Sequence, residues 1–129
     1  MTSREDLNGK KSILIIEDDD FLVTTYRIKF EKEGFNALIA TNRKEIMSAL
    51  EKEPPHVVLL DLMLPGISGF DILEIIKKNE KWKNIPVIIL SNLGQAQDIE
   101  RGKKLGVVDY FIKTNVKIND VVKVVKKYV

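Results

Sequence analysis

The sequence predicts a single α/β domain in which a five-stranded parallel sheet carries helices on both faces. Short β-branched runs such as residues 13–16 (ILII) and 86–90 (PVIIL) alternate with stretches of helical periodicity. The run at 56–60 (HVVLL) is apolar almost throughout, as expected of a central parallel strand covered on both sides. Five such units with right-handed crossovers, in a chain of 129 residues, form a doubly wound sheet.

Turn and capping signals divide the chain into these elements. Residues 1–10 are polar and without periodicity, so we expect a disordered segment before a domain that spans 11–129. In chain order, the predicted strands are residues 12–16, 36–40, 56–60, 86–90 and 107–112. The predicted helices are residues 21–33, 43–51, 69–79, 95–105 and 118–129.

Each predicted helix boundary has a local cause. Gly34 is expected to end the first helix as a C-cap. Asn42 and Glu45 predict a capping box at the start of the second helix, and Ser68 an N-cap for the third. The last helix carries one apolar face at helical spacing, made of Ile118, Val121, Val122, Val125 and Val129.

The composition argues against several classes of function. Lys and Arg total 21 against 19 Asp and Glu, and a net charge of +2 does not indicate nucleic-acid binding. The Lys-rich last helix is interpreted as a solvated face. The absence of Cys excludes disulfides, thiolate metal sites and a Cys nucleophile. The apolar run at 13–16 is too short for a signal-peptide core or a membrane span, so we expect a cytoplasmic protein that does not enter the membrane.

Polar side chains follow four of the predicted strands. In order along the chain they are Glu17, Asp18, Asp61, Ser91 and Lys113. Because ligands of open parallel sheets bind beside the carboxyl ends of the strands, these side chains are expected to share one site. Clustered carboxylates suit Mg²⁺, which is commonly held by one or two carboxylates together with phosphate oxygens. Asp61, at the tip of the central strand, can accept a phosphoryl group as an acyl phosphate.

Four motifs, in this order, resemble those of the receiver domain of two-component response regulators. They are IIEDD (15–19), DLMLPGISGFDIL (61–73), LS (90–91) and GVVDYFIK (106–113). The resemblance spans residues 11–129 and implies a flavodoxin-like fold with strand order 2-1-3-4-5. It also implies a stand-alone response regulator that is a phosphoacceptor rather than an enzyme, although it assists its own phosphorylation and dephosphorylation.

The resemblance assigns a role to each site residue. Asp61 is the phosphoacceptor, and Glu17, Asp18, Asp61 and the backbone carbonyl of Met63 bind Mg²⁺. Lys113 stabilises the charge of the transferred group, and Ser91 and Tyr110 are the switch residues. The implied donor is the phosphohistidine of a histidine kinase or a His-phosphotransfer protein. Phosphorylation would change the surface formed by the fourth helix, fifth strand and fifth helix, and a downstream protein would read that surface. Whether phosphorylation also causes homodimerisation through the last strand and helix stays open.

The sequence departs from the family pattern at three places. Thr114 follows Lys113 where the family usually has Pro, and Asn92 follows Ser91 where a small residue is more usual. Met63 and Leu93 occupy two variable positions beside the site. Because neither side chain can orient an attacking water, we expect slow self-dephosphorylation.

Two other interpretations remain. A pseudo-receiver would keep the fold for protein interaction alone, and Thr114 and Asn92 leave that reading open. A phosphatase of the haloacid dehalogenase type would use the Asp-x-Asp pattern of Asp18 and Asp20, but it would also need a late acidic pair, and only Asp120 follows Lys113. Asp19 and Asp20 are otherwise explained by the start of the first helix. An acidic side chain there caps the helix N-terminus or interacts favourably with its positive end.

Overall fold

A computed structural model describes residues 9–129, and its main feature is one five-stranded parallel sheet. The strands are β1 (Lys11–Ile16), β2 (Phe35–Ala40), β3 (Val57–Leu60), β4 (Val87–Ser91) and β5 (Asp109–Ile112). They lie in the order β2-β1-β3-β4-β5, and every neighbouring pair is parallel. The predicted sheet and its strand order are confirmed.

Helices cover both faces of this sheet. They are α1 (Asp20–Lys32), α2 (Arg43–Lys52), α3 (Gly69–Lys78), α4 (Ala96–Lys104) and α5 (Ile118–Lys127). A 3-10 turn, Lys113–Asn115, follows β5, and a short antiparallel hairpin pairs Met63–Leu64 with Ile67–Ser68. The hairpin lies between β3 and α3, and the sequence did not predict it.

Two hydrophobic clusters form the core, one on each face of the sheet. In β1, Leu14 and Ile16 pack with residues of α2 and α3, whereas Ile13 and Ile15 pack with residues of α1 and α5. This alternation follows from the period of two in a strand, which sends successive side chains to opposite faces. Both faces of the central strands are therefore buried, and polar side chains can gather only at the strand ends.

The local capping signals were largely correct. Asp19 caps α1 by accepting from the backbone N–H of Leu22 at 3.0 Å. Asn42 accepts from the N–H of Glu45 at 2.9 Å, and the Glu45 carboxylate accepts from the N–H of Thr41 at 2.8 Å, one residue before the predicted partner. Gly34, at φ +91°, follows the end of α1 as predicted.

Three predictions at the element ends need correction. Ser68 occupies the N-cap position of α3, but its side chain makes no capping hydrogen bond, because the residue belongs to the hairpin. The fifth strand begins at Asp109, two residues after the predicted start. Val129 lies beyond the end of α5 and is 37% exposed, so it is not part of the buried face.

The predicted disordered segment, residues 1–10, lies outside the described residues except for its last two positions. Between residues 9 and 129, no peptide bond is cis, so the chain passes from Lys113 to Thr114 in the trans form. No helix in this part of the chain combines the length and apolar character needed to cross a membrane.

Candidate functional site

Three carboxylates meet at the carboxyl end of the sheet. Glu17 and Asp18 follow β1, Asp61 follows β3, and these strands are neighbours in the sheet. One carboxylate oxygen from each residue lies within 4.8 Å of the other two. Glu17 and Asp61 are buried, whereas Asp18 is exposed, so the cluster opens to solvent on the Asp18 side. The predicted convergence of these residues is confirmed.

Lys113 places its ammonium group between two of these carboxylates. Its Nζ lies 2.6 Å from Oε1 of Glu17 and 2.8 Å from Oδ2 of Asp61. The lysine directly follows Ile112, whose register partner on β4 is Ser91. One ammonium cannot balance three carboxylates, so the site retains an excess of negative charge. Hard oxygen ligands with excess negative charge are the donor set that a divalent cation such as Mg²⁺ requires.

The environment of this cluster shifts the pKa of two of its groups. Burial raises the pKa of the Glu17 carboxyl, and the hydrogen bond from Lys113 only partly offsets that effect. Burial alone would lower the pKa of the Lys113 ammonium, but its hydrogen bonds to Asp61 and Glu17 outweigh burial and raise it. The carboxylates thus stabilise the charged form of Lys113, whereas burial disfavours the charged form of Glu17.

Backbone N–H groups hold the remaining carboxylate oxygens in place. The N–H groups of Asp18 and Asp19 donate to Oε2 of Glu17 at 3.0 and 3.1 Å. The N–H of Met63 donates to Oδ1 of Asp61 at 3.0 Å. With Lys113 on the other oxygen, each of these buried carboxylates is oriented at both ends. The backbone and Lys113 thus hold both carboxylates in a defined orientation.

The loop that carries Asp61 rests directly on the start of α3. The N–H of Gly69 donates to the carbonyl of Leu62 at 3.1 Å. A Cβ at Gly69 would lie 2.4 Å from Cα of Leu62 and 2.7 Å from the carbonyl oxygen of Asp61. Only glycine allows this approach, since both neighbouring atoms belong to the backbone and cannot turn away. The sequence predicted no role for Gly69, whose only signal was its place directly after a predicted helix N-cap.

A second chain of hydrogen bonds joins Ser91 to Tyr110. Ser91 is fully buried at the end of β4, and its Oγ accepts from the N–H of Leu93 at 3.2 Å. The carbonyl of Leu93 accepts from the hydroxyl of Tyr110. The Leu93 peptide therefore contacts both predicted switch residues. The sequence indicated only an apolar side chain at Leu93, because a role of the backbone leaves no signal in the residue type.

Burial also defines the setting of Tyr110. Desolvation raises the pKa of its hydroxyl to about 12, so the group is a hydrogen-bond donor over the physiological range. Its ring lies close to α4, where a Cβ at Gly102 would stand 3.2 Å from Cδ2 of Tyr110 and 3.0 Å from Cδ1 of Ile89. Tyr110 is thus in contact with α4 as well as with the Leu93 loop.

The structure separates the acidic run at 17–20 into two parts. Glu17 and Asp18 belong to the carboxylate cluster, whereas Asp19 caps α1 and Asp20 is the first residue of that helix. Met63, predicted to offer its carbonyl to a metal, instead shows a backbone N–H bonded to Asp61 and a side chain 57% exposed. The metal-binding role of its carbonyl stays a prediction.

The fold and this site define a class of signalling protein, and the comparisons with known proteins agree. The family model of the response regulator receiver domain matches residues 13–126. This chain belongs to that family. Receiver domains are signalling phosphoacceptors of two-component systems, and the response regulators that contain them interact with histidine kinases and downstream effectors.

Individual relatives differ in how much of their length this chain spans. It is 34% identical to the sporulation initiation phosphotransferase F of Bacillus subtilis over 92% of this chain and 93% of that protein. It is 31% identical to the phosphate regulon transcriptional regulatory protein PhoB of Pseudomonas aeruginosa, over 80% of this chain but only 45% of that protein. Two further transcriptional regulators are spanned over 41% and 44% of their length.

A solved structure supports the same fold. The receiver domain of the Francisella response regulator 1452 superimposes with a TM-score of 0.83 at 28% identity, covering 92% of this chain and 96% of that one.

Proposed function

We propose that Asp61 accepts a phosphoryl group from the phosphohistidine of a histidine kinase or a His-phosphotransfer protein. The observation that carries this proposal is the contact of the Asp61 carboxylate with Lys113 Nζ at 2.8 Å, inside a cluster of three carboxylates. In the transfer, the P–N bond to imidazole breaks and a P–O bond to an Asp61 oxygen forms. The imidazole nitrogen keeps the electron pair of the broken bond.

The chain's own residues prepare this step by position and charge. The N–H of Met63 fixes one oxygen of Asp61. Lys113, on the other oxygen, is placed to stabilise the negative charge on the phosphoryl oxygens during the transfer. Mg²⁺, held by Glu17, Asp18 and Asp61 with the carbonyl of Met63, would supply positive charge that neutralises the phosphoryl oxygens. Glu17 keeps Lys113 in place through its 2.6 Å contact. The domain thereby assists a transfer for which the donor supplies the energy.

The hydrogen-bond chain through Leu93 supports a route for the switch. A phosphoryl group on Asp61 brings about −1.5 to −2 charge and three acceptor oxygens to a buried site. Ser91, at the end of the neighbouring strand, is the hydroxyl donor that such a group would attract. Its rotation would disturb the bond from the Leu93 N–H, and Leu93 holds the Tyr110 hydroxyl. The change would then reach the surface formed by α4, β5 and α5.

The rim of the site suits a protein donor. Phe21, three residues after Asp18, is 77% exposed, and Met63, two residues after Asp61, is 57% exposed. Asp61 itself is only 4% exposed, so a partner that presents a phosphohistidine must approach the rim closely. Large exposed apolar side chains beside a buried reactive group are typical of a protein contact. The similarity to a sporulation phosphotransferase favours a relay role, in which the phosphoryl group passes between carriers before a downstream protein reads it.

The proposal is tested by incubating the protein with Mg²⁺ and acetyl phosphate and measuring the intact mass. We expect the gain of one phosphoryl group, lost in Asp61→Asn and retained in Asp71→Asn, which removes an exposed carboxylate from α3. No gain by the wild-type protein would favour a pseudo-receiver. A gain that persists in Asp61→Asn would refute Asp61 as the acceptor.

The phosphatase alternative loses its support in this geometry. It requires Asp18 and Asp20 to act at one site, but Asp20 belongs to α1 and lies outside the carboxylate cluster. Steady hydrolysis of phosphate monoesters that survives Asp61→Asn but not Asp18→Asn would restore it.

The two variable positions that the family pattern places beside the site, Met63 and Leu93, support a long-lived acyl phosphate. Met63 is exposed and Leu93 packs against the core, and neither can hydrogen-bond to water. We expect slow loss of the phosphoryl group, accelerated in Met63→Asn, since an amide there can orient an attacking water. The decay of the phosphorylated mass after removal of acetyl phosphate measures both rates. Rapid decay that is the same in both proteins would contradict this expectation.

A further inference from the structure

Arg101, in the last turn of α4, joins that helix to α3. Its guanidinium carbon lies 4.2 Å from the centroid of the Phe70 ring. Its Nη2 lies 3.6 Å from Oε1 of Glu74, one helical turn further along α3. Arginine is suited to this double contact because its planar group stacks on a ring while its edge pairs with a carboxylate.

Phe70 connects this contact to Asp61. The residue is buried and directly follows Gly69, whose backbone lies against Leu62 and the carbonyl of Asp61. A displacement of α4 away from α3 must therefore break the stacking of Arg101 on a ring that is fixed to the phosphoacceptor loop.

The next residue of α4 faces the other switch element. Gly102 is buried, and its Cα lies so near Tyr110 and Ile89 that a Cβ would come within 3.2 and 3.0 Å of them. A movement of the Tyr110 ring toward α4 would therefore meet the helix backbone at Gly102. Arg101 and Gly102 thus connect α4 to the Asp61 loop on one side and to Tyr110 on the other.

We propose that Arg101 is a positioning residue that latches α4 to α3 in the unphosphorylated protein, through Phe70 and Glu74, and that the latch opens when the Tyr110 surface changes. This inference rests on the proposed function of Asp61. The latch stabilises only the unphosphorylated arrangement, so it opposes phosphorylation by the free energy of its contacts. Arg101 and Glu74 are 53% and 37% exposed, so those contacts are modest in strength.

The test compares Arg101→Ala with Lys104→Ala in the full chain. Lys104 lies on the same helix and pairs with Glu100 at 3.4 Å, but that pair lies within α4 and does not reach α3. We expect Arg101→Ala to gain a phosphoryl group from acetyl phosphate roughly two- to fivefold faster than the wild type, the effect of one exposed cation–π contact. Arg101→Lys keeps the charge but loses the planar stack, so its rate of phosphorylation should lie between those of the wild type and Arg101→Ala. Lys104→Ala should match the wild type.

Amide hydrogen exchange of residues 96–104 gives a second measurement that does not depend on phosphorylation. We expect faster exchange in this segment for Arg101→Ala, with unchanged exchange in β1 and β3. A rate of phosphorylation equal to or below that of the wild type, or the same increase in Lys104→Ala, would overturn the latch. If the wild type gains no phosphoryl group, the proposed function fails, and unchanged exchange in α4 would then separately refute the latch.

Discussion

Lys113 and Lys126 each contact a glutamate, but the surroundings give the two clusters of charges different properties. Lys113 lies between Glu17 and Asp61, whose side chains are 6% and 5% exposed, with Asp18 close by. Lys126 of α5 contacts Glu33 at the end of α1, whose side chain is 26% exposed. In the first cluster three carboxylates share one ammonium.

In the second cluster two ammonium groups share one carboxylate, because Lys29 lies 3.8 Å from Glu33 as well. It has one positive charge in excess, and that charge is open to solvent, so the cluster only joins two helix ends. The carboxylate cluster has an excess of negative charge in a buried position, which is unfavourable until a cation arrives. Charge excess and burial, rather than the ion pair itself, therefore distinguish the candidate site from a surface contact.

Replacing each lysine by alanine should reveal the largest difference between the two clusters, in phosphorylation rate and in unfolding free energy. Lys113→Ala removes the cation that faces Asp61, and we expect phosphorylation by acetyl phosphate to slow about 100-fold. Without divalent cation it should also lose about 3 kcal/mol of unfolding free energy, since two buried carboxylates lose their partner. Lys126→Ala should change neither quantity appreciably. Intact-mass kinetics and urea unfolding in EDTA measure these effects, and equal losses in the two variants would contradict the comparison.

Glycine substitutions test the backbone beside each cluster. Gly69→Ala forces a methyl group against the backbone of Asp61 and Leu62, and we expect a loss of about 1–3 kcal/mol with slower phosphorylation. Gly34→Ala, beside Glu33, meets no atom within 4 Å and should cost about 1 kcal/mol, because φ there is +91°. Its phosphorylation rate should be normal. A normal rate in Gly69→Ala, measured on folded protein, would show that the close approach at Asp61 is not needed.

Neutralising one exposed acid tests the charge excess directly. Asp18→Asn relieves repulsion within the carboxylate cluster, so we expect about 1 kcal/mol more unfolding free energy in EDTA. The same change should reduce the stabilisation that added Mg²⁺ gives to the wild type. Asp20→Asn, outside the cluster, is the matched control and should keep the full response to Mg²⁺. Thermal unfolding with and without Mg²⁺ distinguishes the two, and an undiminished response in Asp18→Asn would exclude a metal role for this carboxylate.

Glu17 and Glu33 should have the smallest effects on stability, and the two effects should depend on pH with opposite signs. Burial raises the pKa of Glu17 above 4.5, so its folded form binds more protons in the window above pH 4.5, and stability falls as pH rises through it. The hydrogen bond from Lys126 lowers the pKa of Glu33, so stability falls as pH drops below 4.5 through the folded pKa.

Glu17→Gln should remove the loss of stability that accompanies rising pH. Glu33→Gln should remove the loss of stability that accompanies falling pH. Urea unfolding of both variants and the wild type across pH 3–7 in EDTA measures the slopes. Slopes of the same sign for the two residues would contradict the assigned environments.

Much of this molecule could be read from local sequence signals. The five strands were recognisable because apolar β-branched runs of four or five residues, such as 13–16 and 56–60, can be buried on both faces only in a parallel sheet. The caps at Asp19 and Asn42 were recognisable because short polar side chains satisfy the free N–H groups of the next turn. The cap expected at Ser68 failed, because the adjacent hairpin determines that residue's conformation.

The sequence predicted which residues lie together at the candidate site, but it did not predict the contacts between them. Glu17, Asp18, Asp61 and Lys113 each follow a strand, and strand ends of a parallel sheet meet at one edge. The sequence could not show that Lys113 contacts Glu17 and Asp61 together, nor that the Leu93 peptide links Ser91 to Tyr110.

The sequence by itself determined the type and order of the elements and the acidic, hydroxyl and lysine side chains at their ends. These follow from periodicity and residue chemistry, which act over a few neighbours along the chain. The tertiary structure alone decided which side of α4 faces α3, so that Arg101 stacks on Phe70, and how closely Gly69 approaches Asp61. Such contacts join residues far apart in sequence, and their distances depend on the packing of the whole sheet and its helices.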